Sequence, residues 1–261
     1  MIIKGRTSIC VVNYKTEQLT RICLNSIRAN TKPDEYELIV VDNNSADSSL
    51  EYLRSLNWIK LIERKNDVEE GGSRSQGTAL DIALKNASGE FFLAMHSDAF
   101  VRSPDWLDFL KKKITEADYA SAGTGKLEIT NPIIKLLRDL FDIKKIIRKI
   151  SDKKKEIFYI RAICAIYKTE VLLKENLSFA KNTDIGVTCA KQLYLDLIEK
   201  GYKCNVIQTH EMLKYIFHLG HATMALNPEF KVRNKTKKKY IKQLEKILNM
   251  PEIKKILELK D

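Results

Sequence analysis

The chain reads as an α/β fold: a mostly parallel, Rossmann-like twisted sheet flanked by helices, followed by a more irregular half. Three observations predict it. Short apolar runs alternate with helical stripes through residues 1–100, the pattern of parallel strands joined by covering helices. Asn13, Asp42 and Asp98 each fall just past the end of such a run, where ligands bind in open α/β sheets. No internal repeat or low-complexity linker divides the chain.

The elements follow in order. Thr7–Val12 is a β-like run ending at Asn13 and Tyr14, and Leu19, Ile22, Cys23 and Ile27 then recur at helical spacing. Tyr36–Val41 is a second buried run, followed by the turn and helix-start cluster Asp42-Asn43-Asn44-Ser45. Trp58–Ile62 is a third strand. Ala79, Leu80, Ala83, Leu84 and Ala87 make a helical stripe stopped by Gly89, and Phe91–Met95 runs into His96-Ser97-Asp98. Beyond residue 100 the pattern loosens. Pro132 suits a helix N1 position ahead of an apolar stripe in a basic background, and Glu156–Tyr167 resembles one long strand. Val187–Ile198 carries a helical stripe stopped by Gly201. Cys204–Ile207 and Tyr215–Gly220 are short strands, and the Lys-rich segment from Arg233 is helical, interrupted by Pro251. The expected organisation is a first half over 1–125, a second half of the same domain over 126–232, and a basic helical tail over 233–261.

Composition narrows the class. With 44% hydrophobic and 30% charged residues the chain builds a real core. No run approaches the roughly 20 apolar residues of a membrane span. Met1–Arg6 lacks the apolar stretch of a secretory signal. The five cysteines are scattered through apolar segments without a CxxC pair, so they read as buried thiols in a reducing, cytoplasmic setting. The net charge of +11 calls for a negatively charged partner. Its excess lies in Lys111–Lys113, Lys135–Lys155 and Lys231–Lys255. The basic amphipathic stretch from Ile133 to Lys155 has two readings: ordinary packing with a solvated face, slightly favoured, or docking on an anionic membrane surface at the inner face of the cell membrane. No zinc-finger spacing or RNP-like aromatic motif supports a nucleic-acid partner.

The candidate chemistry lies at the strand ends. Asp98, with Ser97 and His96 before it, is a carboxylate placed to hold a divalent cation against a pyrophosphate, since hard cations share their shells with substrate phosphates. Judged alone, the same motif reads as a cap for a helix near Pro104 by roughly two to one. Asp42 offers an acceptor for a base N–H, with Asn44 among the amides beside it for ribose or phosphate; an Asx turn is the plain alternative. The segment Glu69–Gly77 brings glycines, Gly77 among them, and Arg74 to a helix N-terminus that suits phosphate, or it is simply a flexible loop. His218 alternates with apolar neighbours and reads as structural unless another ligand stands beside it.

Together, Ser8–Tyr14, Leu38–Ser45 and Ala87–Asp98, with a looser match at Lys200–Lys203 and Phe217–Gly220, resemble the family 2 glycosyltransferases of GT-A fold. The resemblance implies transfer of a sugar, with inversion, from a nucleoside-diphosphate donor to a hydroxyl of a glycan or lipid-linked acceptor, assisted by Mg²⁺ or Mn²⁺. UDP- or dTDP-sugars are the expected donors. It implies that Asn13, Tyr14 and Asp42 contact the nucleoside, that Asp81 lies in the donor-side helix where the family often has Asn, and that Asp98 and His218 hold the metal. Two positions depart from the family. His96 stands where the first Asp of D-x-D is usual, and Gln192 stands where the acidic base is usual. Asp184 is the preferred substitute base, with Asp196, expected to face solvent, second. A catalytically inactive nucleotide-sugar-binding relative is the alternative. A sugar-phosphate nucleotidyltransferase is the other rival, although Asn13-Tyr14-Lys15-Thr16 lacks the glycines it would want. No G-x-G-x-x-G follows a strand, which disfavours a dinucleotide oxidoreductase.

Overall fold

A computed structural model of the chain describes residues 2–65, 70–127, 158–220, 222–227 and 234–258. The first half runs β1 (Ile3–Asn13), α1 (Glu17–Ala29), β2 (Tyr36–Asp42), α2 (Ser48–Ser55), β3 (Lys60–Glu63), α3 (Gly72–Lys85), β4 (Gly89–His96), β5 (Ala99–Val101), α4 (Trp106–Thr115) and β6 (Ser121–Gly123). The second comprises β7 (Cys164–Lys168), α5 (Thr169–Lys174), a 3₁₀ turn (Thr183–Ile185), α6 (Lys191–Glu199), β8 (Cys204–Val206), α7 (Thr209–Met212), β9 (Ile216–His218), α8 (Ala222–Leu226), α9 (Asn234–Leu248) and α10 (Pro251–Leu257).

The main sheet has the order β3-β2-β1-β4-β7-β6-β8. β1 pairs in parallel with β2 and β4, and β2 with β3, whereas β7 runs antiparallel to both neighbours. β5 and β9 form a separate antiparallel ladder. Successive residues of the central strands face opposite layers, and both layers are covered. Ile9, Val11, Leu38, Val40, Leu93 and Met95 pack with α1, α4 and α10. Cys10, Ile39, Val41, Phe92 and Ala94 pack with α3, α5 and α6. The helical stripes of α1 and α3 are buried at the residues their spacing indicates. Each fully buried Leu or Ile contributes about 1.5–3 kcal/mol.

Register places the strand ends side by side. Asn13 lies opposite Asp42, and Val12 opposite His96. Gly89 is required by a close approach: a Cβ there would lie 2.6 Å from Ser8 N.

Several expectations need correction. The long strand expected over 156–167 is confined to Cys164–Lys168; residues 156 and 157 lie outside the described residues, and those from 158 to 163 reach the sheet without joining a ladder. The glycine-rich segment is not a loop, because α3 begins at Gly72 and takes Arg74 and Gly77 into the helix. The basic C-terminal segment is helical in two pieces that part just before Pro251, the first residue of α10, and Leu244, Ile247, Ile253 and Ile256 are buried in the main core. The amphipathic stretch from 133 to 155 lies outside the described residues. Among the described residues no helix is long and apolar enough to cross a membrane. Four cysteines are buried and Cys204 is partly so; all are free thiols.

Candidate active site

The turn after β4 carries the site's carboxylate. Asp98 is 4% exposed and lies just before β5. It does not cap α4, whose N-cap is Asp105. Instead, pairing of Ala99 with His218 across β5 and β9 brings His218 Nε2 to 3.2 Å from Asp98 Oδ1. His96 Nδ1 approaches the same oxygen at 3.6 Å. The second carboxylate oxygen accepts from Ala222 N at 3.3 Å, and the Asp98 carbonyl accepts from Leu219 N at 3.0 Å.

His218 Nδ1 lies 2.9 Å from the Leu127 carbonyl. A carbonyl only accepts, so this contact places the proton on Nδ1 and turns the Nε2 lone pair toward Asp98. Two acceptors facing one another at 3.2 Å require either a second proton or a cation between them. Burial pushes the Asp98 carboxyl up, but the charge and hydrogen bonding of His218, and then of His96, outweigh it and hold it well below the usual carboxylate range. Burial, together with the Asp98 charge, pushes the neighbouring Cys23 thiol well up.

His96 and His218 line a cavity of about 120 Å³ with Gln76, Lys126, Arg161 and Thr188. The two cations give it a bias toward anions. Sequence reasoning missed both. Arg161 is a lone charge inside the apolar run Phe158–Tyr167, a signal that was available.

The β1 and β2 ends form a closed network. Asn13 is fully buried; its Nδ2 donates to Asp42 Oδ1 at 2.7 Å, Ser49 Oγ at 2.9 Å and Ser45 Oγ at 3.1 Å, and its Oδ1 accepts from Thr20 at 2.7 Å. Asp42 also accepts from Ser45 Oγ at 2.6 Å and Ser45 N at 3.0 Å, and is 1% exposed. Asn13 and Asp42, which the resemblance assigns to nucleoside contact, direct these polar atoms at one another and shape the turn that a ligand would meet. Tyr14 is half-buried just beyond this network, and Asn44 is exposed in the left-handed region at φ 61°. Asn43, one of the amides of the same cluster, donates to the Ser75 carbonyl at 3.2 Å and accepts from Arg64 at 3.1 Å, tying this turn to α3.

The remaining candidates do not line the cavity of His96 and His218. Asp81 is half-buried; it accepts from Ser178 Oγ at 2.6 Å and Phe179 N at 2.7 Å, so it latches the segment around Phe179 to α3. Burial nevertheless holds its carboxyl above the usual range, against those hydrogen bonds. Gly77 permits the same contact, since a Cβ there would lie 2.6 Å from Ala180 Cα. Arg74 is exposed, with Glu70 at 3.6 Å. Asp184 is exposed on the 3₁₀ turn and lines a separate, open groove of about 370 Å³ with Arg74, Lys181 and Asn182. Asp196 does not face solvent as expected: it is 5% exposed, held by Lys181 at 2.7 Å and Gln192 at 2.8 Å. Gln192 in turn accepts from Asn182 at 3.1 Å.

The sheet, with this cluster at its carboxyl edge, has the GT-A fold of the similar solved structures. The chain belongs to glycosyl transferase family 2, whose sequence profile matches residues 8–174. A poly(ribitol-phosphate) beta-glucosyltransferase from Bacillus spizizenii is 36% identical over 115 residues, covering 41% of this chain and 17% of that protein. The chain thus spans only a small part of that relative's length. A mannosyltransferase from Pyrobaculum calidifontis in complex with GDP-Man and Mn²⁺ aligns with a TM-score of 0.55 at 19% identity, over 78% of this chain and 55% of that one. Residues 1–349 of Staphylococcus aureus TarS in complex with UDP-GlcNAc align with a TM-score of 0.53 at 18% identity, over 97% of this chain and 70% of that one.

The residues fit a divalent cation. His96, Asp98 and His218 each offer one ligand atom, all within 4.8 Å of one another. The Leu127 carbonyl fixes the tautomer of His218 as second partners of ligating histidines do.

Proposed function

We propose that the chain moves a sugar from a nucleoside-diphosphate donor, a UDP- or dTDP-sugar, to a hydroxyl of a glycan or lipid-linked acceptor, with inversion. The observation that carries this reading is the His96–Asp98–His218 cluster at the end of β4, beside a cavity lined by Lys126 and Arg161 in a family 2 chain. Relatives named for poly(ribitol-phosphate) transfer support a polymeric acceptor and a part in polysaccharide biosynthesis.

In this reading Asp98 and His218 hold Mg²⁺ or Mn²⁺, and when bound the ion neutralises charge on the departing diphosphate. Arg161 and Lys126 face the same anion from the cavity wall. Ser97, 6% exposed beside Asp98, shapes the turn that presents His96 to the donor. Tyr14 and Asn44 receive the nucleoside on the turn braced by Asn13 and Asp42, with Gly77 and Asp81 holding α3 against the acceptor segment. Arg74, on the groove wall, meets the acceptor or the donor phosphate. Asp184 accepts the proton of the attacking hydroxyl, which displaces the diphosphate from the opposite face of the anomeric carbon. The chain acts in the cytoplasm, peripheral on the inner membrane face if its acceptor is lipid-linked; binding to anionic vesicles at low salt tests that placement.

A second reading, a nucleotide-sugar-binding relative without turnover, is favoured by one observation: Asp184 lines the groove and not the cavity of His96 and His218. A panel of nucleotide sugars with Mg²⁺ or Mn²⁺, followed by thermal shift and by donor consumption, separates the two. A stabilising donor that is consumed supports transfer. A stabilising donor never consumed, with any acceptor glycan, supports the second reading, and no stabilising donor overturns both.

A further inference from the structure

We infer that His96 is a third ligand of the cation, which makes the site nitrogen-rich and selective for Mn²⁺, Co²⁺ or Zn²⁺ over Mg²⁺. This deepens the metal assignment proposed above and rests on it for the location of the ion.

Spacing is the first argument. Two ligands each about 2.1 Å from one ion lie about 3.0 Å apart at a right angle and about 3.4 Å apart at a tetrahedral angle. Asp98 Oδ1 stands 3.2 Å from His218 Nε2 and 3.6 Å from His96 Nδ1, so both imidazoles are at the separation of neighbouring ligands. Their rings meet edge to face with centroids 5.5 Å apart, which lets both direct a nitrogen at one point without stacking.

The donors are also held before any ion arrives. His218 is oriented by the Leu127 carbonyl, and Asp98 by Ala222 N and Leu219 N. The His96 backbone is fixed on both sides: its N–H donates to the Ile163 carbonyl at 2.9 Å, and its carbonyl accepts from Cys23 Sγ at 3.6 Å. Its ring is 30% exposed and lines the cavity.

Ligand type then sets the preference. Mg²⁺ demands oxygen and sheds water reluctantly, whereas imidazole suits the first-row transition ions, whose affinities rise from Mn²⁺ toward Co²⁺. Two nitrogens and one carboxylate oxygen are a poor set for Mg²⁺ and a good one for the others.

The test is direct metal binding by the full chain, with no nucleotide and no turnover. Isothermal titration with MgCl₂, MnCl₂ and CoCl₂ should give Mn²⁺ at least about tenfold tighter than Mg²⁺, and Co²⁺ tighter again. Pulsed EPR of the Mn²⁺-loaded protein should show nitrogen coupling from two imidazoles. His96→Ala should remove one of them and weaken Mn²⁺ binding, and His96→Asp should bring Mg²⁺ and Mn²⁺ close together. Equal affinity of the wild type for Mg²⁺ and Mn²⁺, or coupling to a single imidazole, overturns the inference even if both variants fail to fold. The outcome is separable from that of the transfer reading: failure of every donor to bind leaves the ion ranking intact, and a site indifferent to the ion leaves donor binding intact.

Discussion

His218 Nε2 lies 3.2 Å from Asp98 Oδ1 because Ala99 pairs with His218 across β5 and β9. A small ladder at the edge of the main sheet therefore assembles the charged centre from two distant segments. Asp98→Ala removes the carboxylate shared by both histidines. Transfer should fall by about a hundredfold or more, the scale of losing one preorganised electrostatic partner. A quantitative product assay on variant with wild-type circular dichroism checks this; near-normal turnover would take Asp98 out of the site.

Asp184 and Asp196 separate by the kind of damage their loss does. Asp184 is exposed, so Asp184→Asn should lower kcat by roughly a hundredfold with little change in melting temperature. Asp196 is buried and accepts from Lys181 and Gln192, so Asp196→Ala leaves a cavity and removes both hydrogen bonds, and should lower the melting temperature instead. The reverse pattern would move the base to Asp196.

Asp81 pins Phe179 and Ala180 to α3. Asp81→Ala should release that segment and speed amide exchange at Phe179 and Ala180 selectively. With Asp184 on the same segment, KM for the acceptor should rise more than kcat falls. Unchanged exchange at both amides would show that packing alone holds the segment.

Gly77→Ala sets two effects against each other. Helix propensity favours Ala by about 1 kcal/mol. The added Cβ would lie 2.6 Å from Ala180 Cα and 2.8 Å from Ala180 N, and forcing backbone apart costs about 1–3 kcal/mol. Net destabilisation, read from the denaturant midpoint, is expected; a stabilised variant would show that α3 shifts freely.

Glu37 gives a pH signature away from the site. Burial pushes its carboxyl up, but hydrogen bonds from Ser8 Oγ and from Ser88 N and Oγ outweigh this and hold it below the usual range. A depressed folded pKa adds stability above the unfolded value, and that stability is lost as pH falls through the folded one. Melting temperatures between neutral pH and about pH 3 should therefore drop more steeply for wild type than for Glu37→Gln. Parallel curves would remove Glu37 from the acid response.

Much of this was legible in the sequence where burial is two-sided. β1, β2 and β4 are covered on both faces, so their apolar runs stand out, and Asn13, Asp42 and His96 mark their ends. The partners of those residues were not legible. That Asn13 and Asp42 satisfy each other depends on strand register, which local periodicity does not carry. Asp196 stands opposite the apolar stripe of its helix and looks solvent-facing until Lys181 and Gln192 close over it. Arg161 disappears into an apolar run because the approach to β7 is extended without being a strand.

The reversed strand β7 has a consequence for the cavity wall. Because it runs against β4, its amino end lies at the edge where β4 finishes, with Met95 opposite Cys164. The chain departs from that edge after β6 and returns ahead of β7, and Arg161 N closes the excursion by donating to the Thr124 carbonyl at 3.0 Å. The two described ends of that excursion therefore meet at one stitched point on the rim, and the cavity residues Lys126 and Arg161 flank it. The backbone bond that closes the excursion thus also sets the two cavity cations beside His96 and His218.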